Sequence, residues 1–278
     1  MNLVNLIANN TKGNILYKFT KIYKDYQIES VKLDCCESTQ TLLNNVIDKI
    51  TTKNHIYCIF SDTQINGKGR KLNKWYSPEN NLYMSFSYIT SKPELVNLMP
   101  IITSCAIYTV LSSATKSKDV KLKWINDIFI NNSKVGGILC ESSYINNTFY
   151  CSIGCGINLI EAPYLHNSVD YKSTNILSET KVKLKNDIIG PQILQYVIDY
   201  YEEFSNISFQ GLKKLYEENL LWKNENVIVY DYENKILGKG RLIGINDVGH
   251  LIIKEENCKE ANNFSFGTIR KNDNIEIY

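Results

Sequence analysis

An α+β fold is expected, a mixed β-sheet with helices packed on it and a small β-rich tail. Three observations predict it. Apolar residues recur at helical spacing in some segments and in short strand-like runs in others, in the irregular order of layered α+β folds. The texture changes near Trp222, after which short alternating strands dominate. With 278 residues, 44% of them hydrophobic, the chain holds enough material for an enzyme-sized core and a small appendage.

Taken in order, residues 1–30 form a polar lead-in of weak helical or hairpin character, and 31–33 read as a short strand. Glu37-Ser38-Thr39-Gln40 then precedes Leu42, Leu43, Val46, Ile47 and Ile50, one apolar face at helical spacing, with Ser38 or Thr39 as its N-cap. Residues 56–60 are a buried strand, 62–81 a polar loop and 82–89 another strand. Residues 100–111 carry a helical pattern. A hairpin of 120–124 and 128–130 follows, then the turn Asn131-Asn132-Ser133 and a strand at 137–141; 150–153 and 156–159 complete the sheet. Residues 188–204 and 212–221 read as two helices beside it. In the last part, Val227, Val229, Leu242, Ile245, Leu251 and Ile253 sit in short strands with turn signals at Asn234, Gly238, Asn246-Asp247 and Asp273. That length suits a small barrel of the SH3 size class. The expected organisation is a lead-in (1–30), a main domain (31–222) and a small C-terminal domain (223–278).

The net charge of +2 gives no electrostatic reason to expect a nucleic-acid partner. Basic residues are mostly lysine, and Arg70, Arg241 and Arg270 are the three arginines. The eight cysteines include no Cys-x-x-Cys pair, and His55, His166 and His250 do not cluster with them. No metal site is therefore expected, and the thiols read as small hydrophobes in a reducing cytoplasm. No stretch approaches the roughly 20 apolar residues of a membrane span. Lys12, Lys18, Lys21 and Lys24 precede the first acidic residue, Asp25, which leaves organelle targeting by the lead-in open.

Chemistry concentrates in Gln64-Ile65-Asn66-Gly67-Lys68-Gly69-Arg70-Lys71-Leu72-Asn73-Lys74-Trp75. Two glycines let backbone approach a ligand closely, four basic side chains bring positive charge, and freed amides form an anion-binding concavity. Trp75 offers a flat face for a base. Read alone, this loop equally suits a mobile hairpin with solvated lysines and a core tryptophan. Its company narrows the reading: Lys121-Leu122-Lys123-Trp124-Ile125-Asn126-Asp127, Lys134-Val135-Gly136-Gly137-Ile138-Leu139-Cys140-Glu141 and Ile153-Gly154-Cys155-Gly156-Ile157-Asn158 follow it.

The order Ser-Thr, Gln-x-x-Gly-x-Gly-Arg, Lys-Trp-x-Asn-Asp, Lys-x-x-Gly-Ile-Leu-x-Glu and Gly-x-Gly-Ile-Asn, over residues 31–159, resembles the catalytic domain of biotin–protein ligases, in the monofunctional type without a DNA-binding domain. The tail resembles their C-terminal barrel through Gly244-Ile245-Asn246-Asp247-x-Gly249-x-Leu251. The resemblance implies a class II synthetase-like catalytic domain followed by an SH3-like β-barrel. It implies a reaction in which ATP, with Mg2+, converts biotin to biotinyl-5'-AMP. Biotin then passes to a lysine of the biotin carboxyl carrier domain of a carboxylase. Magnesium follows from the ATP chemistry rather than from a ligand motif. Neither nucleic acid nor membrane is implied as a partner, and a homodimer is compatible with the family.

By the same resemblance, Ser38, Thr39 and Gln40 bond the biotin head. Gln64 reads the ureido ring, since an amide donates and accepts at once. Gly67, Lys68, Gly69 and Arg70 form a lid over the biotinyl phosphate. Lys134 contacts the biotin carboxyl and α-phosphate oxygens, and Gly137 and Gly156 line the biotin and nucleotide pockets with bare backbone. Trp75 walls the adenine, Asn158 contacts it, and Lys123 and Asn126 belong to the nucleotide side. Asp127 serves either the metal–nucleotide complex or the incoming lysine. Arg70, Lys134 and Asp127 are the implied catalytic residues. Plainer readings stand beside these: a helix cap for Ser38 and Thr39, an exposed turn lysine for Lys134, a turn aspartate for Asp127 and a structural tryptophan for Trp75.

The chain departs from the family pattern at Lys68 and Asn73, where arginine is usual, at Leu72, usually glycine, and at Ile125, usually proline. Lys68 keeps charge without the bidentate fork, and the charge missing at Asn73 falls to Lys71 or Lys74. Three alternatives remain at this stage. A lipoate–protein ligase usually carries Arg-Arg-x-x-Gly-Gly-Gly and His-Asp, and neither occurs here. A biotin-sensing repressor needs a helix-turn-helix domain longer and more basic than the lead-in. A non-catalytic biotin-binding module is suggested by Leu72 and Asn73.

Overall fold

A computed structural model describes residues 3–8, 11, 13–49, 52–71, 73–117, 119–163, 171–206, 208–256, 258 and 260–272. The chain begins with α1 (Leu3–Ala8), β1 (Ile15–Tyr23), β2 (Tyr26–Cys36), α2 (Thr39–Asn44), β3 (His55–Gln64), β4 (Leu82–Thr90) and α3 (Pro93–Thr115). It continues through β5 (Val120–Lys123), β6 (Asp127–Ile130), β7 (Ser133–Ile145), β8 (Thr148–Ile157), α4 (Ile176–Thr180), α5 (Asn186–Asn206) and α6 (Gln210–Glu218). The tail holds β9 (Asn226–Tyr230), β10 (Ile236–Ile245), β11 (Leu251–Lys254), β12 (Asn262–Phe264) and β13 (Thr268–Lys271).

Eight strands form one mixed sheet in the order β1-β2-β3-β4-β8-β7-β6-β5, with β2 and β3 parallel and the other pairs antiparallel. The lead-in is more regular than its composition suggests: β1 and β2 pair along their length, and β2 carries the ladder on to β3. Asn131 and Asn132 (φ 49° and 60°), and Asn146 and Asn147 (φ 48° and 58°), take the left-handed conformations that tight hairpin turns need and asparagine tolerates.

Strand alternation assigns the two faces. In β4, Leu82, Met84 and Phe86 join the core beneath α3, α5 and α6, while Tyr83, Ser85 and Ser87 take the opposite face, where α1 and α2 pack. Helix α3 extends well beyond the expected 100–111, because Leu95, Leu98 and Met99 continue its buried stripe and Pro93 opens it. Contrary to the expectation that no segment is span-like, α3 is long and apolar enough to cross a membrane. It is a core helix here, with 67% of its most apolar window buried inside the molecule.

The α+β class holds, but the expected C-terminal barrel does not. Strands β9 to β13 form an open sheet in the order β12-β11-β10-β9-β13, and no ladder joins its edges among the described residues. Bulges in β10, between Ile236 and Gly238 and between Leu242 and Gly244, bend the sheet. Closure needs edge strands long enough to pair around the circumference, whereas β12 has 3 residues and β13 has 4. The sheet also has no need to bury its apolar face against itself. Val227, Val229, Leu242, Ile245, Leu251, Ile253 and Ile269 belong to the same continuous core as α3. The turn before β11 seals this junction: the buried indole Nε1 of Trp124 donates to the Gly249 carbonyl at 3.0 Å.

Candidate functional site

The face of the large sheet opposite α3 is stripped of side chains at its centre. Cys151, Ile153, Cys155 and Ile157 of β8 belong to the α3 core, which leaves Ser152, Gly154 and Gly156 on the other side. Cross-strand partners add Ser85 of β4 and Gly137 of β7 to the same surface. The result is the floor of a cleft of about 670 Å³.

Helix α2 closes one side. Ser38 caps it, its side chain accepting from Thr41 N at 3.4 Å, so the plain reading of Ser38 is met while the residue also lines the cleft. Thr39 N–H donates to Gln64 Oε1 at 2.9 Å, and Thr39 Oγ1 lies 2.8 Å from Ser85 Oγ. Gln64 Nε2 in turn donates to Ser77 Oγ at 2.9 Å. Gln40 sends its amide nitrogen to Glu141 Oε2 at 2.9 Å and to Ser152 Oγ at 2.9 Å.

The Gln64–Trp75 segment is a closed hairpin. Trp75 N–H donates to Gly67 O, Lys68 and Lys74 form a bridge, and Gly69 N–H donates to Asn73 O at 2.7 Å. Gly67 turns its backbone toward Trp75 and Ser77, leaving 2.5 Å between a Cβ placed there and Trp75 O. It packs tightly inside the hairpin and is not among the residues that line the cleft. Every other residue expected to touch biotin or nucleotide does. Arg70 donates to Asn126 Oδ1 at 2.9 Å and to Tyr232 Oη at 2.9 Å. Lys71 lies 4.0 Å from the centroid of the Tyr232 ring and donates to the Tyr232 carbonyl. Lys74 keeps to the cleft, and Leu72 lies outside the described residues.

Under the hairpin lies a charge cluster. Lys134 Nζ is 2.6 Å from Asp127 Oδ1, and Lys123 Nζ is 3.9 Å from Asp127 Oδ2. Both Lys134 and Asp127 side chains are 15% exposed, so Lys134 is not an ordinary turn lysine. Burial opposes charge on Asp127, yet Lys134 and Lys123 beside it hold the carboxyl below its ordinary value. Burial likewise disfavours the Lys134 ammonium, and Asp127 holds its pKa above the usual lysine value. Asn126, before Asp127, is pinned by its side-chain amide donating to Ile138 O at 2.7 Å. The Trp124–Ile125 bond, where the pattern leads one to expect proline, is cis.

Trp75 lies on bare backbone. A Cβ at Gly156 would come 2.6 Å from its indole nitrogen, and one at Gly137 would come 3.1 Å from its Cζ3. Gly156→Ala is therefore expected to displace the indole, lowering stability by about 1–3 kcal/mol as overpacking does. Denaturant unfolding and a red shift of tryptophan emission check this. Gln40 Oε1, Trp75 Nε1 and Asn158 Oδ1 are buried polar atoms of cleft residues with no hydrogen-bond partner among the described residues. Asn158 uses its nitrogen on Thr174 O at 3.1 Å.

Some cleft residues were not anticipated. Ser85 was readable from the apolar–polar alternation of β4. Tyr171, which accepts from Lys134 Nζ at 3.4 Å, and Tyr232, Thr268 and Arg270 from the tail carry no local signature. Among the described residues no group of three His, Cys, Asp or Glu is placed to hold a metal.

The chain resembles known proteins in sequence and in fold. The sequence profile described as the biotin/lipoate A/B protein ligase family matches residues 33–158. Biotin–protein ligase 1, chloroplastic, of Arabidopsis thaliana is 28% identical over 226 residues, 76% of this chain and 61% of that protein. The human biotin–protein ligase is 25% identical over 207 residues, 71% of this chain and 28% of that one. The chain thus spans about three fifths of the Arabidopsis protein's length. In fold, it resembles a biotin protein ligase from Aquifex aeolicus solved with biotin and ATP. The TM-score is 0.71 and the identity 23%, covering 87% of this chain and 99% of that one.

Proposed function

We propose, for a chain whose residues 33–158 match the biotin/lipoate A/B protein ligase family, that this cleft is the active site of a biotin–protein ligase. It would activate biotin with ATP, as the magnesium complex, to biotinyl-5'-AMP. It would then pass biotin to a lysine on the carrier domain of a biotin-dependent carboxylase. The observation that carries this reading is the Lys134–Asp127–Lys123 cluster under the Arg70 hairpin, beside Trp75.

In the first step a carboxylate oxygen of biotin attacks the α-phosphorus, a P–O bond forms, and the bond to pyrophosphate breaks. Two anions must meet, and charge builds on the phosphate oxygens. Lys134 and Arg70 are preorganised cations for that charge, in a site where water is largely excluded. Asp127, with its depressed carboxyl, is a poor proton acceptor and acts as a positioning residue that keeps Lys134 charged and aimed. In the second step a neutral lysine amine attacks the acyl carbon, the bond to the AMP phosphate breaks, and the amine gives up a proton. Closure of the hairpin keeps the mixed anhydride from water.

The nucleotide side is supported by Trp75, whose ring offers a stacking face, and by the partnerless Asn158 Oδ1, which suits the amino group of adenine. Magnesium, carried in with the nucleotide, would neutralise charge on the phosphates; Asp127 is taken up by Lys134 and Lys123, so Asp231 at the cleft would be the hard oxygen donor left to hold it. The cytoplasm is the compartment we propose with this activity.

Intact mass measurement after incubation with a carrier domain, biotin and ATP tests the reading. One biotinyl increment per carrier is expected. Its absence with an acceptor proven on another ligase, together with no biotin-dependent pyrophosphate exchange into ATP, would overturn it.

A further inference from the structure

We infer that Tyr232, in the turn between β9 and β10, is a positioning residue for the reaction. It latches the Arg70 hairpin shut over the cleft, so that the tail sheet sets how fast ligand enters and leaves. The inference rests on the biotin reading of the site and deepens it. Tyr232 lies outside the residues that the family profile matches.

The tip of the hairpin brings two cations, Arg70 and Lys71, side by side, and Lys71 takes a left-handed φ of 57°. Burial and the neighbouring Arg70 both hold the Lys71 ammonium below its ordinary pKa. Such a pair needs an electron-rich partner, and Tyr232 offers three groups. Its hydroxyl accepts from Arg70 Nη2 at 2.9 Å, and its carbonyl accepts from Lys71 Nζ at 3.0 Å. Its ring centroid lies 5.4 Å from Arg70 Cζ and 4.0 Å from Lys71 Nζ, both within reach of a cation–π contact.

A braced turn presents Tyr232. Asp231 Oδ1 accepts from the backbone N–H groups of Glu233 and Lys235, each at 2.8 Å, and Asn234 takes φ 63°. Arg270 donates to Asn234 Oδ1 at 2.8 Å, and the Phe266 ring centroid is 5.7 Å from that of Tyr232. Arg70 also donates to Asn126 Oδ1, so its guanidinium ties the hairpin both to the turn between β5 and β6 and to the tail. These contacts must break before the hairpin lifts, and a ligand passing beneath it waits for that opening in either direction. A side chain that grips the ligand slows only its departure. A latch made between protein groups slows arrival and departure alike.

Stopped-flow association of biotin, and its displacement by excess labelled biotin, separate the two cases on the full chain, Tyr232→Ala and Tyr232→Phe. Tyr232 is half-exposed. In Y232A both rate constants are expected to rise at least about threefold, the scale of losing a cation–π contact and a charge-assisted hydrogen bond at such a site. Y232F keeps the ring and the carbonyl and should fall between the two proteins. Limited trypsin digestion without ligand reads the latch independently. Cleavage after Arg70 and Lys71, located by mass spectrometry, should quicken at least about threefold in Y232A relative to cleavage elsewhere. A dissociation rate that rises alone makes Tyr232 a ligand contact and overturns the proposal. Association, dissociation and hairpin cleavage all staying within about threefold of the parent, in a Y232A protein whose melting curve shows it folded, overturn it equally. A parent protein that binds no biotin would instead remove the biotin reading, and the trypsin ratio then decides the latch by itself.

Discussion

Under the proposed function, replacing Lys134 with methionine is expected to slow biotin adenylation by about 10³-fold, the scale seen when one preorganised charge-stabilising donor is removed from a developing oxyanion. Methionine keeps the length of the stem and removes the ammonium. The cation sits 2.6 Å from Asp127 and 5.6 Å from the centroid of the Trp75 ring. It therefore stands between the anionic centre of the cluster and the base-stacking wall. The loss should appear in kcat for pyrophosphate exchange at saturating biotin and ATP, because the charge it meets is greatest in the transition state. Lys123, 3.9 Å from Asp127 on the far oxygen, keeps the carboxylate paired, so the variant should remain folded. A K134M enzyme exchanging within tenfold of the parent rate would show that the reacting carboxylate and phosphate lie elsewhere.

Asp127→Ala is expected to have the larger effect on the fold, about 3 kcal/mol of lost stability, since removing one member of a largely buried ion pair strands its partners. Lys134 and Lys123 would then face each other with their common counter-ion gone. The pH dependence follows from the sign of the shifts. The folded Asp127 carboxyl lies below its ordinary value, so its contribution is complete above roughly pH 4 and is lost as pH falls through the lowered value. Lys134 is raised, so its share is complete below the ordinary lysine value and is lost as pH rises through the raised one. Urea unfolding at several pH values should show a constant gap between parent and D127A from about pH 5 to pH 9, closing in acid. A gap that persists unchanged at pH 2.5 would mean that the carboxylate stabilises the fold by packing and not by charge.

Much of the site was legible because its residues lie in short, ordered motifs. The cap at Ser38, the glycine-bearing hairpin and the Lys134 strand each combine a backbone requirement with a chemical group, and such combinations leave a local trace. What escaped is what depends on partners distant in sequence. Nothing in Tyr232 or Arg270 says that the tail sheet faces the hairpin, because that follows from how the bent sheet docks on α3. The hydrogen bonds that orient Gln40 and Gln64 come from Glu141, Ser152 and Ser77, three residues on three other segments. Closure of the tail into a barrel was inferred from strand length and turn spacing. Those features specify strands, but not whether the edges meet, and the apolar face found its cover on the rest of the chain instead.

The bond from Trp124 to the Gly249 carbonyl bears on how variants of this protein should be sorted. The two residues stand 125 positions apart, yet Trp124 lies only two and three positions before Asn126 and Asp127. Gly249, at φ 82°, fits against Leu98 and Ile101 where a Cβ would come 3.0 Å and 2.8 Å from their methyls. Alleles at Gly249 are therefore expected to fall in the same phenotypic class as alleles of Trp124, with impaired ligation and a fold weakened at one seam. A genetic screen that scored positions by their distance along the chain from the lysine motif would file them as unrelated. Suppressors of a Trp124→Phe lesion should accordingly be sought in the turn at 246–250, whose geometry the lost bond had held.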